Sequence, residues 1–139
     1  MLVNFIMTSI FDNILSATER RYMKHVGINR LLKYNPKFTS LELKYYTMLQ
    51  AMEIFYIPQY EMNGRYYDAY LPDHNVLLEF DGTFWHPLKE EECKYGFQKK
   101  SMKVDKLKNY MAEKKGIKIV RIREESPVTK EQLKKLIWD

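Results

Sequence analysis

Four side chains in the middle of the sequence have the types and spacing for hydrolytic chemistry. Asp68 precedes a turn, and Glu79 and Asp81 stand two residues apart in the next apolar segment. Because side chains alternate along a strand, Glu79 and Asp81 are predicted to share one face, and Asp68 can face them from a paired strand. Converging carboxylates repel one another unless a divalent cation lies between them. His86 follows a few residues later and is well placed to deprotonate a water.

The simpler interpretation is that these acids face solvent on an exposed sheet, since acids mostly lie in water. The neighbouring sequence argues against it. Val76-Leu-Leu78 is a continuous apolar run typical of a strand buried on both faces, and acids at the end of such a strand are seldom there only for solubility. Gly82 permits a sharp exit of the chain toward His86. The sequence therefore predicts a catalytic centre at the end of this strand.

Extended segments supply the sheet that positions the acids. Three runs rich in aromatic and branched residues cover residues 54–61, 65–71 and 75–81. Asn63-Gly64 predicts a two-residue hairpin, because both turn positions need positive φ. The spacing predicts a three-stranded antiparallel meander, and residues 117–122 predict a fourth strand.

Helical periodicity predicts the layers that cover this sheet. Thr39 and Glu42 form a capping-box pattern that begins a helix expected over residues 40–53. Later helices are expected over about 99–115 and 131–138. The predicted fold class is an α/β (α+β) sandwich, with a mixed sheet of about four strands flanked by helices.

Composition narrows the class of protein further. A chain of 139 residues with 45% hydrophobic content can build one core, which we expect over residues 36–139, after an N-terminal helical extension over residues 1–35. The single Cys93 excludes an intramolecular disulfide and metal sites built from cysteine pairs, and it favours a reducing cytoplasm.

The apolar start lacks a basic leader, so we expect a soluble protein without a membrane span. The net charge of +5 favours a polyanionic partner such as nucleic acid.

Four stretches of the sequence together resemble known nucleases. They are Tyr67-Asp-Ala-Tyr-Leu-Pro72, Leu78-Glu-Phe-Asp-Gly-Thr-Phe-Trp-His86, Asp105-Lys-Leu-Lys-Asn109 and Gly116-Ile-Lys-Ile-Val-Arg-Ile-Arg-Glu124. Over roughly residues 37–125 the chain resembles the very-short-patch-repair type of nuclease in the PD-(D/E)xK superfamily. It also resembles the related phage homing endonucleases known for an EDxHD motif. The resemblance implies a restriction-endonuclease-like fold and a magnesium-dependent DNA endonuclease, encoded by a phage or mobile element.

The resemblance also implies roles for individual residues. Asp68 matches the strand aspartate that binds magnesium, and the backbone carbonyl of Phe80 matches the second protein ligand. His86 matches the general base. Glu42 matches the helix glutamate that holds metal-bound water, and Asp105 matches the acid on the later helix that completes the motif.

The segment Glu79-Phe-Asp81 also resembles the Glu-x-Lys element of restriction endonucleases, with Asp81 in the lysine position. Glu79 is accordingly expected near the cation, and Asp81 is a further catalytic candidate. The repair enzymes have a histidine where Asp81 stands, and they carry a structural zinc site that a chain with one cysteine cannot build. Mismatch-specific repair is therefore not implied.

An all-oxygen ligand set suits magnesium, with manganese as a substitute, better than zinc. The cation would polarise the scissile phosphate, while the attacking oxygen comes either from water deprotonated by His86 or from a hydroxide on the cation. Two candidates also have structural explanations. Glu42 is the capping-box residue, and Asp105 has lysine neighbours with which it can form surface ion pairs.

Basic and aromatic side chains near the motif are candidates for binding double-stranded DNA. Trp85 and its aromatic neighbours Phe84 and Tyr95 have two possible roles, wedging into a base stack or filling the core. Core filling is expected for at least one of the three. The cations either track phosphates or form a solvated surface. They are Lys94, Lys99, Lys100, Lys103, Lys106, Arg121 and Arg123.

The small chain shows no obvious second DNA-reading domain, so specificity is expected from a homo-oligomer, a partner protein or DNA structure. Two other functions fit the same sequence. One is a DNA repair or junction nuclease on the same fold, and the other is a catalytically silent DNA-binding or inhibitor protein. The intact acids and His86 favour an enzyme.

Overall fold

The structure, a computed structural model, describes residues 38–139, and the predicted N-terminal extension lies outside them. Residues Thr39–Asp139 form one compact unit. Helix α1 spans Ser40–Ala51, and the amide of Glu42 donates to the Thr39 hydroxyl at its start. The Glu42 carboxylate accepts from the Thr39 amide in return, so the predicted capping box is confirmed. The helix ends two residues earlier than predicted, and Glu53 then adopts a φ of 55°.

Four strands form one mixed sheet in the order β1-β2-β3-β4. The strands are β1 (Ile57–Met62), β2 (Arg65–Leu71), β3 (Val76–Asp81) and β4 (Lys118–Arg123). The first three pair antiparallel, and β4 pairs parallel with β3. Asn63 and Gly64 have φ values of 52° and 76°, which confirms the predicted hairpin turn. The predicted meander and fourth strand are confirmed, with small shifts of their ends.

The chain between β3 and β4 contains the crossover that a parallel pair requires. It includes a short 3₁₀ helix at Glu90–Glu92 and helix α2 at Gly96–Lys114, which begins three residues earlier than predicted. Gly116 follows with a φ of 68° and ends the helical segment. Helix α3 spans Lys130–Trp138. Within residues 38–139, no helix is both long and apolar enough to cross a membrane.

Helices α1 and α2 bring side chains to the sheet from different parts of the sequence. Tyr45 of α1 stacks on Phe80 of β3, with ring centroids 4.9 Å apart. Ala112 of α2 belongs to a buried cluster with Tyr67 and Leu77. Strand β3 is buried along its whole length, as its apolar run predicts, so the acids at its end lie inside the protein.

Candidate active site

Asp68 lies at an irregularity in the sheet. Strand β1 pairs with β2 on both sides of Gln59, the residue opposite Asp68, but no pair is formed at Gln59 itself. Gln59 has a φ of 49°, a left-handed backbone that is uncommon for a residue with a side chain. Tyr67 and Tyr70 pack against the same cluster, although strict alternation would place them on opposite faces. The side-chain alternation of β2 is therefore interrupted at Asp68.

Side chains provide hydrogen bonds to the backbone where this regular pairing stops. The Asp68 amide donates to Glu79 Oε1 at 3.0 Å, and the Phe80 amide donates to Asp68 Oδ2 at 2.7 Å. The Tyr46 hydroxyl on α1 donates to the Asp68 carbonyl oxygen. Two of these bonds fix the Asp68 backbone, and the third holds its carboxylate through Oδ2, so none of them uses the Oδ1 atom.

Glu79 is buried and paired with a lysine that the sequence patterns did not single out. The Lys108 Nζ atom lies 2.6 Å from Glu79 Oε2, and the two residues are only 9% and 3% exposed. The same ammonium group lies 4.8 Å from the centroid of the Tyr67 ring. The sequence offered one indication of this role: Lys108 follows Asp105 by three residues, which places both on one side of a helix.

His86 is joined to Asp105 of α2. Its Nδ1 atom lies 2.7 Å from Asp105 Oδ2 and 3.9 Å from Asp81 Oδ1. The hydrogen bond to Asp105 raises the pKa of His86 above its ordinary value, although partial burial opposes the shift. For Asp105, burial acts to raise the pKa, but the bond to His86 and the charge of Arg121 hold it below its ordinary value. With Nδ1 engaged, Nε2 is the ring nitrogen available for proton transfer.

The Arg121 guanidinium lies among the acids of the site. Its Nη1 atom is 3.1 Å from both carboxylate oxygens of Asp81 and 3.6 Å from Asp105 Oδ1. Its Nε atom donates to Asn109 Oδ1 at 2.8 Å. Asp81 is 3% exposed, so the adjacent guanidinium offsets the cost of burying its carboxylate. Although predicted to contact DNA, Arg121 is thus placed to neutralise Asp81 and Asp105.

Glu42 performs its capping role within the same region. Besides the Thr39 amide, its carboxylate accepts from the Gln59 amide group at 2.6 Å, and its Oε2 atom lies 3.3 Å from the Tyr46 hydroxyl oxygen. It is 8% exposed. Burial is the main cause of the raised pKa of Asp68, and the negative charge of Glu42 adds to it. Glu42 therefore both caps helix α1 and lies in the candidate site.

A cleft of about 660 Å³ opens beside these side chains, and its lining includes Glu42, Asp68, Glu79, His86 and Lys108. Burial raises the pKa of Asp68 to about 7, and the charge of Glu79 adds to the shift. Burial also raises the pKa of Glu79, against the opposing charge of Lys108. Negative charge in the cleft is therefore unfavourable until a cation offsets it.

The oxygen donors of the cleft suit a magnesium ion that keeps several waters. They do not suit an ion held only by protein side chains. In the part of the chain that the structure describes, no three His, Cys, Asp or Glu side chains are grouped to hold a metal ion. The three predicted carboxylates instead lie against groups of the protein: Glu79 against Lys108 and, at 3.8 Å, Arg121; Asp81 against Arg121; and Asp68 against a backbone amide. Magnesium commonly binds through one or two carboxylates and keeps several waters, which this oxygen-only arrangement allows.

Aromatic side chains form an exposed cluster next to His86. Phe84, Trp85 and Tyr95 are 54%, 57% and 52% exposed, so the expectation that at least one of them fills the core is wrong. Trp85 and Phe97 have ring centroids 5.0 Å apart, and Tyr95 stacks on Phe97 at 5.4 Å. Exposed rings held against one another present flat apolar surface beside the cleft.

The remaining candidate cations lie on the surface. Lys94 precedes α2, and the other four candidate lysines are exposed along that helix. They are Lys99, Lys100, Lys103 and Lys106. Arg123 is partly buried and donates from Nε to Glu125 Oε1 at 2.6 Å. The lysines are therefore accessible to a polyanion, whereas Arg123 already has an acidic partner.

Comparison with known proteins identifies a likeness of fold. The chain superposes on the catalytic domain of the homing endonuclease I-Bth0305I with a TM-score of 0.53 and 20% sequence identity. The match covers 71% of this chain and 94% of that domain. No family model and no curated protein matches the sequence. The predicted α+β fold is confirmed, and it is the fold of a homing endonuclease catalytic domain.

Proposed function

We propose that this chain is a magnesium-dependent endodeoxyribonuclease that hydrolyses phosphodiester bonds of double-stranded DNA. The observation that carries the proposal is the hydrogen bond between His86 and Asp105, at a cleft that also contains the desolvated Asp68. An imidazole oriented by a carboxylate has the geometry of a general base, and a buried acid with a raised pKa in a cleft is a functional-site candidate. The fold of a homing endonuclease catalytic domain supports the same conclusion.

His86 removes a proton from the attacking water in this mechanism. Asp105 holds Nδ1, so that Nε2 accepts the proton, and the Asp105 carboxylate stabilises the imidazolium that forms. Arg121 in turn keeps Asp105 charged and in place. The oxygen of the water then bonds to phosphorus, and the bond from phosphorus to the leaving sugar oxygen breaks.

Asp68 would hold the magnesium ion, for which manganese can substitute. By the resemblance, the Phe80 carbonyl would be a second ligand and Glu42 would orient water. The bound cation would polarise the scissile phosphate and offset the charge that develops on it. The Asp68 carboxylate is oriented by the Phe80 amide, which donates to Oδ2, while the Tyr46 hydroxyl fixes the Asp68 backbone carbonyl.

The DNA would lie across the cleft between the aromatic cluster and the lysines of α2. Exposed lysines neutralise phosphates, and exposed rings such as Trp85 stack on or between bases. Homing-type cleavage for a phage or mobile element is the biological role that the resemblance favours. A homo-oligomer or a partner protein would then supply sequence specificity.

A plasmid-cleavage assay tests the function. The wild-type chain should convert supercoiled DNA with magnesium or manganese and should be inactive with a chelator. His86→Ala should lower the rate on the order of 10²-fold to 10⁴-fold while DNA binding persists. Asp68→Asn should abolish cleavage and weaken manganese binding measured by calorimetry.

His74→Ala and Asp73→Asn serve as matched controls, because both residues lie in the turn between β2 and β3 and not around the cleft. They should cleave at the wild-type rate. If the wild-type chain binds DNA but does not cut duplex, mismatched or branched substrates with either metal, it is instead a silent binding protein. Cleavage restricted to mismatched or branched DNA would identify a repair or junction nuclease.

A further inference from the structure

Lys108 brings a fixed positive charge into the cleft and occupies the carboxylate of Glu79. Its Nζ atom lies 2.6 Å from Glu79 Oε2, while Glu79 Oε1 accepts the Asp68 backbone amide at 3.0 Å. Both oxygens of Glu79 therefore have donors within the protein. An incoming cation would have to displace an ammonium group from a residue that is only 9% exposed.

The other acids near the cleft divide into two groups. Asp81 and Asp105 share the guanidinium of Arg121. In contrast, the ion pairs formed between residues 38 and 139 include neither Asp68 nor Glu42. Among the acids that line the cleft, Asp68, Glu42 and Glu124 are therefore the ones without an ion-pair partner in that range, whereas Glu79 has Lys108.

We propose that Lys108 is a built-in counter-ion that keeps Glu79 from binding metal, so that the cleft takes one divalent cation, at Asp68. Two-metal nuclease sites hold ions about 3.5–4 Å apart between shared ligands. The Lys108 ammonium group takes the place of the second ion at Glu79. Lys108 is thus a positioning residue that acts through Glu79. Glu79 in turn holds the Asp68 backbone amide and does not contact the cation. The inference rests on the proposed function in placing that cation at Asp68.

Counting manganese ions on the intact chain tests this role without any cleavage assay. Calorimetry and electron paramagnetic resonance should show one Mn²⁺ per wild-type chain. Lys108→Met keeps the length of the side chain but removes its charge. Arg121 Nη1 lies 3.8 Å from Glu79 Oε2 but is bonded to Asp81 at 3.1 Å, so Oε2 becomes available and a second Mn²⁺ should bind. The double variant Lys108→Met/Glu79→Gln should return to one ion. Lys106→Met is the matched control, because Lys106 is an exposed lysine of the same helix, and it should behave as the wild type.

Thermal unfolding gives a second measurement. Lys108→Met leaves a buried charge at Glu79, so the variant should melt at lower temperature in chelator and should regain more stability from Mn²⁺ than the wild type does. Two ions on the wild-type chain, none on it, or one ion on folded Lys108→Met would each overturn the inference. A Lys108→Met chain that stays unfolded even with Mn²⁺ would do the same. A wild-type chain that binds one ion without cutting DNA would refute only the proposed function.

Discussion

Asp105 Oδ2 lies 2.7 Å from His86 Nδ1, and the other carboxylate oxygen of Asp105, Oδ1, lies 3.6 Å from Arg121 Nη1. The histidine is thus held by an acid that is itself held by a cation. A pairing of this kind orients the imidazole and favours its protonated form. It determines how the rate of the proposed reaction should respond to pH.

The pH dependence of cleavage should report the His86–Asp105 pair. A general base must be neutral, and the bond to Asp105 raises the pKa of His86, so the rate should rise with pH through an inflection above the ordinary value of about 6.5. Asp105→Asn removes the carboxylate charge and should move that inflection to lower pH. Single-turnover cleavage rates across the histidine range measure both profiles. Identical inflections in the two proteins would exclude His86 as the titrating base.

Gln59 should be more important for activity than for stability. Its left-handed backbone suits glycine, so Gln59→Gly should change the free energy of unfolding by no more than about 1 kcal/mol. Cleavage should nevertheless slow, because Glu42 loses the amide that now lies 2.6 Å from it. Gln59→Val, with a branched side chain at positive φ, should destabilise the fold by about 1–3 kcal/mol. Urea unfolding and cleavage rates on both variants separate the two effects.

The exposed lysines of α2 should set the salt dependence of DNA binding. Replacing both Lys99 and Lys103 by glutamine should flatten the plot of log affinity against log salt by roughly one to two units. A matched pair on α3, Lys130 and Lys135, is also exposed and should leave the slope unchanged when replaced. Fluorescence anisotropy at several salt concentrations provides the slopes. If both pairs alter the slope equally, α2 has no special role.

Arg121 should be a structural cation and not a phosphate contact. Arg121→Leu leaves the buried Asp81 without its partner, which should cost about 3–5 kcal/mol in free energy of unfolding. The double variant with Asp81→Leu should recover most of that loss. Denaturant unfolding measures both changes, with Arg123→Leu as the comparison. A stable Arg121→Leu protein with weakened, less salt-dependent DNA binding would instead place Arg121 on the DNA.

Sequence patterns alone determined the local features of this protein. The Asn63-Gly64 turn, the capping box at Thr39 and the buried strand Val76–Asp81 depend on interactions between residues close in the chain, so their residue types predict them. The motif around His86 could be recognised for the same reason, because its residues are nearly contiguous. These features predicted the α+β fold and the acids of the candidate site.

Tertiary structure alone decided which acid meets which cation. Lys108 reaches Glu79 from 29 positions away, and Arg121 reaches Asp81 from 40. Both pairings depend on how α2 docks on the sheet and on the parallel register of β3 and β4, which periodicity does not specify. The interrupted pairing at Asp68 is likewise a relation between strands, opposite Gln59 on one side and beside Glu79 on the other. Helix docking and strand register therefore leave Asp68, and not Glu79, without a cationic partner among residues 38–139.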